Sequence, residues 1–169
     1  MPTITTNLSV LAVGCAIALA LGACATPSSV PIGAMISDVK SSTGNPTATW
    51  PLPDGGTRLQ YSSQPAGQTV WNLDFNAKGQ MVSREQALTD ATFARIVPGR
   101  TTQADVLRDF GRPADIQTFP LKQQSSFMYR YTTYGGFSAA MFVNFDPAGV
   151  VVGTQTGLDP WQLGGPGRK

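Results

Sequence analysis

Hydrophobic and polar positions alternate along much of this chain. Phe127, Tyr129 and Tyr131 stand two apart, as do Phe137, Ala139, Met141, Val143 and Phe145. A period of two is the signature of a half-buried strand. Asp146-Pro147-Ala148-Gly149 supplies a tight turn, and Val150 to Gln155 reads as the returning strand. The same pattern occurs earlier. Thr57 to Tyr61, Thr69 to Phe75 and Gln80 to Arg84 read as strands, with Trp71, Leu73 and Phe75 on one face and Asn76 to Gly79 as the turn. Two segments have helical spacing. Gln103 to Phe110 carries Val106, Leu107 and Phe110 as an apolar stripe. Thr102 and Asp105 fit a capping box at its start, and Gly111 fits a left-handed cap at its end. Thr89 or Asp90 caps a second helix, whose Phe93 and Ile96 share a face until Val97-Pro98-Gly99 breaks it. In the earlier part, only Ala34 to Lys40 looks helical.

These patterns repeat. A shift of 70 residues lays Thr57–Asp90 over Phe127–Pro160 without a gap, pairing Tyr61 with Tyr131, Phe75 with Phe145 and Gly79 with Gly149. Upstream, a shift of 67 pairs Asp38-Val39 with Asp105-Val106, and Gly44 and Pro46 with Gly111 and Pro113. The predicted fold class is therefore α+β. It comprises two tandem units, each a helix, a helix and a three-stranded antiparallel meander. The predicted organisation is a leader at 1–23, a tether at 24–33, a degenerate first unit at 34–90, a second unit at 91–160 and a tail at 161–169.

The leader has its own pattern. No charged residue precedes Asp38, and Leu8 to Ala23 is mostly apolar. The run is shorter than the roughly 20 residues that span a bilayer, and it suits the apolar region of an export signal, although the residues before it include no Lys or Arg. Leu21-Gly22-Ala23-Cys24 matches a bacterial lipobox, which makes Cys24 the lipidation site and Ala25 a residue favouring the outer membrane. Ala25 to Gly33, ATPSSVPIG, reads as a tether. Composition then removes several functions. The chain has 169 residues, 12 Lys+Arg, 10 Asp+Glu and no histidine, for a net charge of +2. That balance gives no nucleic-acid footprint. Without histidine there is no Ser-His or Cys-His pair and no imidazole metal site. The two cysteines, Cys15 and Cys24, both lie near the N-terminus, so no disulfide is expected in the folded part.

Ile96-x-x-Gly99-x-Thr101-Thr102, then Val106 and Gly111-x-Pro113, resembles the signature of the SmpA/OmlA family of BamE-like outer-membrane lipoproteins. Tyr129-x-Tyr131, Asn144-Phe145-Asp146, Gly149-Val150-Val151 and Leu158-Asp159-Pro160 follow in that family's order. The repeated unit also resembles that of β-lactamase inhibitory protein. The resemblance implies a lipid-anchored protein on the periplasmic face of the outer membrane. Such a protein would act as a non-enzymatic scaffold or accessory factor in outer-membrane protein or envelope assembly. Its partners would be the membrane, through the lipid, and envelope proteins such as β-barrel assembly subunits. The alternative is an inhibitor-type module that caps a hydrolase such as a β-lactamase or lysozyme.

The charged residues suggest no catalyst. Asp105 and Asp109 lie four apart on one helix, but Asp105 is accounted for as a cap and Asp109 as a solvated residue beside Arg112. No catalytic residue, metal site or cofactor is expected. Because successive strand residues face opposite sides, Met128, Arg130 and Phe142 should lie opposite the core set. These three residues are the candidate partner-binding face.

Overall fold

The computed structural model describes residues 25–162 and 164. The expected export signal, Cys15 and the lipidation residue Cys24 lie outside the described residues, as does most of the expected tail.

The chain runs α1 (Ile36–Thr43), β1 (Ala48–Pro51), β2 (Thr57–Ser62), β3 (Val70–Phe75), β4 (Met81–Gln86), α2 (Asp90–Phe93), α3 (Gln103–Phe110), β5 (Asp115–Phe119), β6 (Gln124–Thr132), β7 (Ser138–Phe145) and β8 (Val151–Leu158). Strands β1–β4 form one antiparallel sheet in sequence order, and β5–β8 form another. The α+β expectation of helix-helix-meander units is therefore corrected. Among the described residues the protein is mainly β, with only about 19% helix. Each unit has four strands and one two-turn helix, and α2 is a single turn. The missed strands are β1 and β5. Pro46 and Pro51 flank or end β1, while Pro113 and Pro120 bracket β5, so both segments read as loops. Proline is tolerated on an edge, where it removes no ladder hydrogen bond, and both strands are edges.

The two units share strand order, but the offset between them is not uniform. Helices α1 and α3 start at Ile36 and Gln103, and Met81 opens β4 as Val151 opens β8. In the first sheet Leu59 faces Leu73; at the same place in the second, Phe127 faces Val143. Tyr61 is thus equivalent to Tyr129 and not to Tyr131. The β6–β7 hairpin holds two extra residues, which a gapless overlay of the sequence conceals. The equivalent tyrosines do the same work. Tyr61 Oη donates to Gly44 O at 3.0 Å and Tyr129 Oη to Gly111 O at 2.7 Å, each tying a strand to the glycine that ends the helix. Both sheets also carry a bulge at the last residue of the third strand, Phe75 and Phe145.

The layers follow from strand parity. Leu59, Tyr61, Leu73, Phe75 and Met81 face Val39 of α1 and form the first core with Val30. On the opposite face of that sheet, Val70 joins the second core, made by Phe93 of α2, Val106 and Phe110 of α3, and Phe127, Tyr129, Tyr131, Met141, Val143 and Phe145. The order is therefore α1, first sheet, α2 with α3, second sheet. Helix α3 is shared: it covers its own sheet and docks on the back of the preceding one.

Candidate functional site

Helix α3 begins as its sequence predicts. Thr102 Oγ1 accepts from Asp105 N at 3.2 Å, while the Asp105 carboxylate accepts from Thr102 N at 3.0 Å and from Thr102 Oγ1 at 2.7 Å. These hydrogen bonds from Thr102 hold the Asp105 carboxyl below its usual range. The other end of α3 departs from expectation. A helix leaves its last carbonyls without intrahelical donors. Here the first sheet supplies them. Gln60 Nε2 donates to Arg108 O at 3.0 Å and Asn72 Nδ2 donates to Asp109 O at 2.7 Å. Arg58 donates to Asp74 Oδ1 at 2.7 Å and Asp109 Oδ1 at 3.1 Å, placing a cation at the negative end of the helix. Its hydrogen bond to Asp74 chiefly raises the Arg58 pKa further. Asp109, expected to be solvated beside Arg112, instead forms an ion pair with Arg58 across the seam and one with its neighbour Arg108 within α3.

A cleft of about 410 Å³ opens beside this seam, between the back of the first sheet and α2–α3. Most of the charged groups that line it already have partners. Arg95 pairs with Glu85 at 2.7 Å, and Arg108 with Asp105 at 2.8 Å. Arg100 lines the same cleft and makes no ion pair among the described residues. Two of the ion pairs cross between the units, Arg95 with Glu85 and Arg58 with Asp109, whereas Arg108 and Asp105 pair within α3.

The structure buries two of the three residues expected to form an open binding face. Met128 is 5% exposed and Arg130 is 7% exposed, while Phe142 is half-buried. They do share the back of the second sheet, where Met128 lies between Asp115 and Phe142. That back is covered near Arg130 by the β2–β3 loop. Gln64 Nε2 donates to Arg130 O at 2.6 Å and Gln64 Oε1 accepts from Arg130 N at 3.4 Å, so an amide side chain imitates a neighbouring strand. The Arg130 guanidinium donates to Asp159 Oδ1 and Oδ2, to Pro65 O at 2.8 Å and to Ala66 O at 2.9 Å. Trp161 stacks on it, with Cζ 4.2 Å from the ring centre. Burial opposes ionisation of Asp159, but hydrogen bonds from Arg130, Trp161 N and Gln68 outweigh it and hold the carboxyl below its usual value. Arg130 is thus an internal clamp and not a contact residue. Only the distant partner Asp159 and a loop 64 residues away explain this, and neither leaves a local signal in the sequence.

The large exposed apolar side chains lie elsewhere. Tyr134 is fully exposed and Phe137 is 75% exposed at the β6–β7 turn, with Leu158 at 70% on the adjoining strand. Asp90 anchors this turn, accepting from Tyr131 Oη at 2.7 Å and Tyr134 N at 2.8 Å. Sequence alternation alone had placed Phe137 with the core. It lies in the β6–β7 turn, one residue before β7 begins, and stays exposed.

No family model matches the chain, and no curated protein matches it. Among solved structures, the chain is similar to a DUF4309 family protein (YjgB) from Bacillus subtilis. The identity is 12%, over 75% of this chain and 79% of that one, with a TM-score of 0.30. At that score the likeness bears on neither fold nor function.

Proposed function

We propose that this chain is an outer-membrane lipoprotein, anchored at Cys24. Its two-sheet body would serve as a non-enzymatic scaffold or accessory factor in envelope or outer-membrane protein assembly. The observation that carries the reading is the sequence Leu21-Gly22-Ala23-Cys24, which follows the apolar run from Leu8. The resemblance of Ile96 to Pro113 to the SmpA/OmlA signature supports it. So does the use of the cleft's acidic groups in ion pairs between and within the units. Stable membrane attachment requires more than one acyl chain, as a lipidated and N-acylated cysteine provides. Cys24→Ser should release the protein from the membrane fraction into the soluble periplasm. Retention of that variant with membranes would overturn the anchor. Affinity capture from detergent-solubilised envelopes should then recover barrel-assembly or other envelope subunits.

The exposed Tyr134 and Phe137 favour a second reading, in which the β6–β7 turn plugs the active site of a periplasmic hydrolase. Aromatic side chains dominate binding hot spots. In that case capture recovers a single soluble hydrolase, and Tyr134→Ala abolishes its recovery.

A further inference from the structure

The two sheets have four edge strands, and these are protected unequally. β1 ends in Pro51, β4 carries Arg84 and Glu85, and β5 carries Asp115 and is followed by Pro120. Charges and prolines are the ordinary means of blunting an edge against a further strand. β8 has neither. Its sequence is VVGTQTGL, and every residue after Val151 is at least partly exposed.

Hydrogen-bond parity shows which of its peptide groups are free. The β6–β7 hairpin closes with Thr133 N donating to Phe137 O at 2.9 Å, and the β7–β8 hairpin closes with Asp146 N donating to Val150 O at 3.0 Å. Antiparallel ladders alternate their bonded pairs, so Ala140, Phe142 and Asn144 bond toward β8. Their partners are Gly157, Gln155 and Gly153. The peptide groups of Thr154, Thr156 and Leu158 therefore point away from the sheet. Only Val151 is covered, by Gly99 N and Thr101 O at 2.8 Å each. Among the described residues, no strand pairs with the rest of this edge.

We infer that β8 pairs with β8 of a second copy of this chain, antiparallel, about a two-fold axis at Gln155. The free peptide groups require even positions to face even positions. Pairing about Gln155 sets Thr154 opposite Thr156, Gly153 opposite Gly157, and Val152 opposite Leu158. Val152 and Leu158 are the large apolar side chains exposed on this strand, at 46% and 70%. In this register each copy's Val152 meets the other copy's Leu158, so the contact forms twice. Threonine pairs across strands are favourable, and no like charges oppose one another. The contact is self-complementary, as a two-fold interface must be.

The test uses the full chain in detergent with Cys15→Ser and Cys24→Ser, which removes both native cysteines. Gln155→Cys then places two thiols on the axis, in a non-hydrogen-bonded pair with Cα atoms about 4.5 Å apart. That separation suits a disulfide. Glu85→Cys, at the equivalent place on the charged edge β4, is the control. Mild oxidation should convert the Gln155→Cys protein to a covalent dimer and leave the control monomeric. Adding Thr154→Pro, which removes an outward N–H and spares the β7 ladder, should suppress the dimer. Light scattering supplies a check that needs no cysteine. The parent protein should show twice the protein mass of its Gln155→Lys variant, which sets two lysines on the axis. Cross-linking no faster than the control overturns the inference, as does equal mass for the parent and Gln155→Lys.

Discussion

Asp159 shows how far a single side chain depends on its setting. It has no exposed side-chain surface, yet its carboxyl stays below the usual range because Arg130, Gln68 and the Trp161 amide all donate to it. Breaking a buried pair leaves an uncompensated charge, so Asp159→Ala should destabilise the fold by about 3–5 kcal/mol in chemical denaturation. A loss near zero would mean that water reaches Arg130. The sign of the pH effect follows from the direction of the shift. The folded protein holds this proton less tightly than the unfolded chain does. The contribution is therefore complete above the ordinary aspartate value of about 4, and is lost as pH falls through the lower folded value. The stability difference between the parent and Asp159→Asn should shrink on acidification below that point; a constant difference would remove Asp159 as the titrating group. Gly111 is a second case. Its φ of +78° excludes most residues, although its ψ of −171° is extended and not the expected left-handed helical cap. A Cβ there would also stand 3.3 Å from Gln60 Oε1. Gly149 has the same φ, but its Cβ would meet only ordinary contacts with Gln103. Both valine substitutions should cost on the order of 1–3 kcal/mol, with Gly111→Val the larger loss in melting temperature. Equal losses would show that Gln60 moves aside freely.

Elements whose signals are local were legible in the sequence, and those whose signals are distant were not. Helix α3 spans Gln103 to Phe110 as its stripe and caps predict, because Thr102, Asp105 and Gly111 are all within one turn of the ends they fix. The strands at the centres of the sheets were legible from alternation, since both of their neighbours lie in the sheet. β1 and β5 were not, because an edge strand tolerates the prolines that elsewhere end a strand. The back of the second sheet was the least legible. Its residues alternate correctly, but alternation cannot say whether the second face meets water. Arg58 meets Asp109 from 51 residues away, and Gln64 meets Arg130 from 66. The supposed binding surface of Met128 and Arg130 became interior for that reason. The legible caps permit a direct test. Thr102→Ala removes the acceptor for the Asp105 amide and should cost about 1 kcal/mol. Because α3 packs against both sheets, hydrogen exchange should accelerate in both. Acceleration confined to β5–β8 would show that the first sheet does not depend on this helix.

At the scale of the whole molecule, the two units are unequal partners joined by a polar seam. Among the described residues the first core has seven buried side chains, from Val30 to Met81, and the second has fifteen, including Val70 contributed by the first sheet. Hydrophobic stabilisation grows with the apolar area removed from water, so the second unit is the more stable. The first unit depends on what it gains by docking. That docking is mostly hydrogen bonding. Gln60 and Asn72 donate to the carbonyls of Arg108 and Asp109, and these carbonyls would otherwise end a helix without partners. Each side therefore satisfies a need of the other, which couples their unfolding. Replacing both donors, in Gln60→Leu with Asn72→Leu, strands Asp109 O and leaves Arg108 O with only the 3.4 Å hydrogen bond from Arg58, at about 1–3 kcal/mol for a carbonyl left unpaired. The replacement adds nothing that could bridge the seam. The parent protein should unfold in a single calorimetric transition. In the double variant the first sheet should loosen ahead of the second, and native-state exchange should show it: amides of β2 and β3 would open at lower denaturant than those of β6 and β7. If all four strands still open together, the seam is not what couples the units, and the apolar contact of Val70 with the second core must carry the coupling instead.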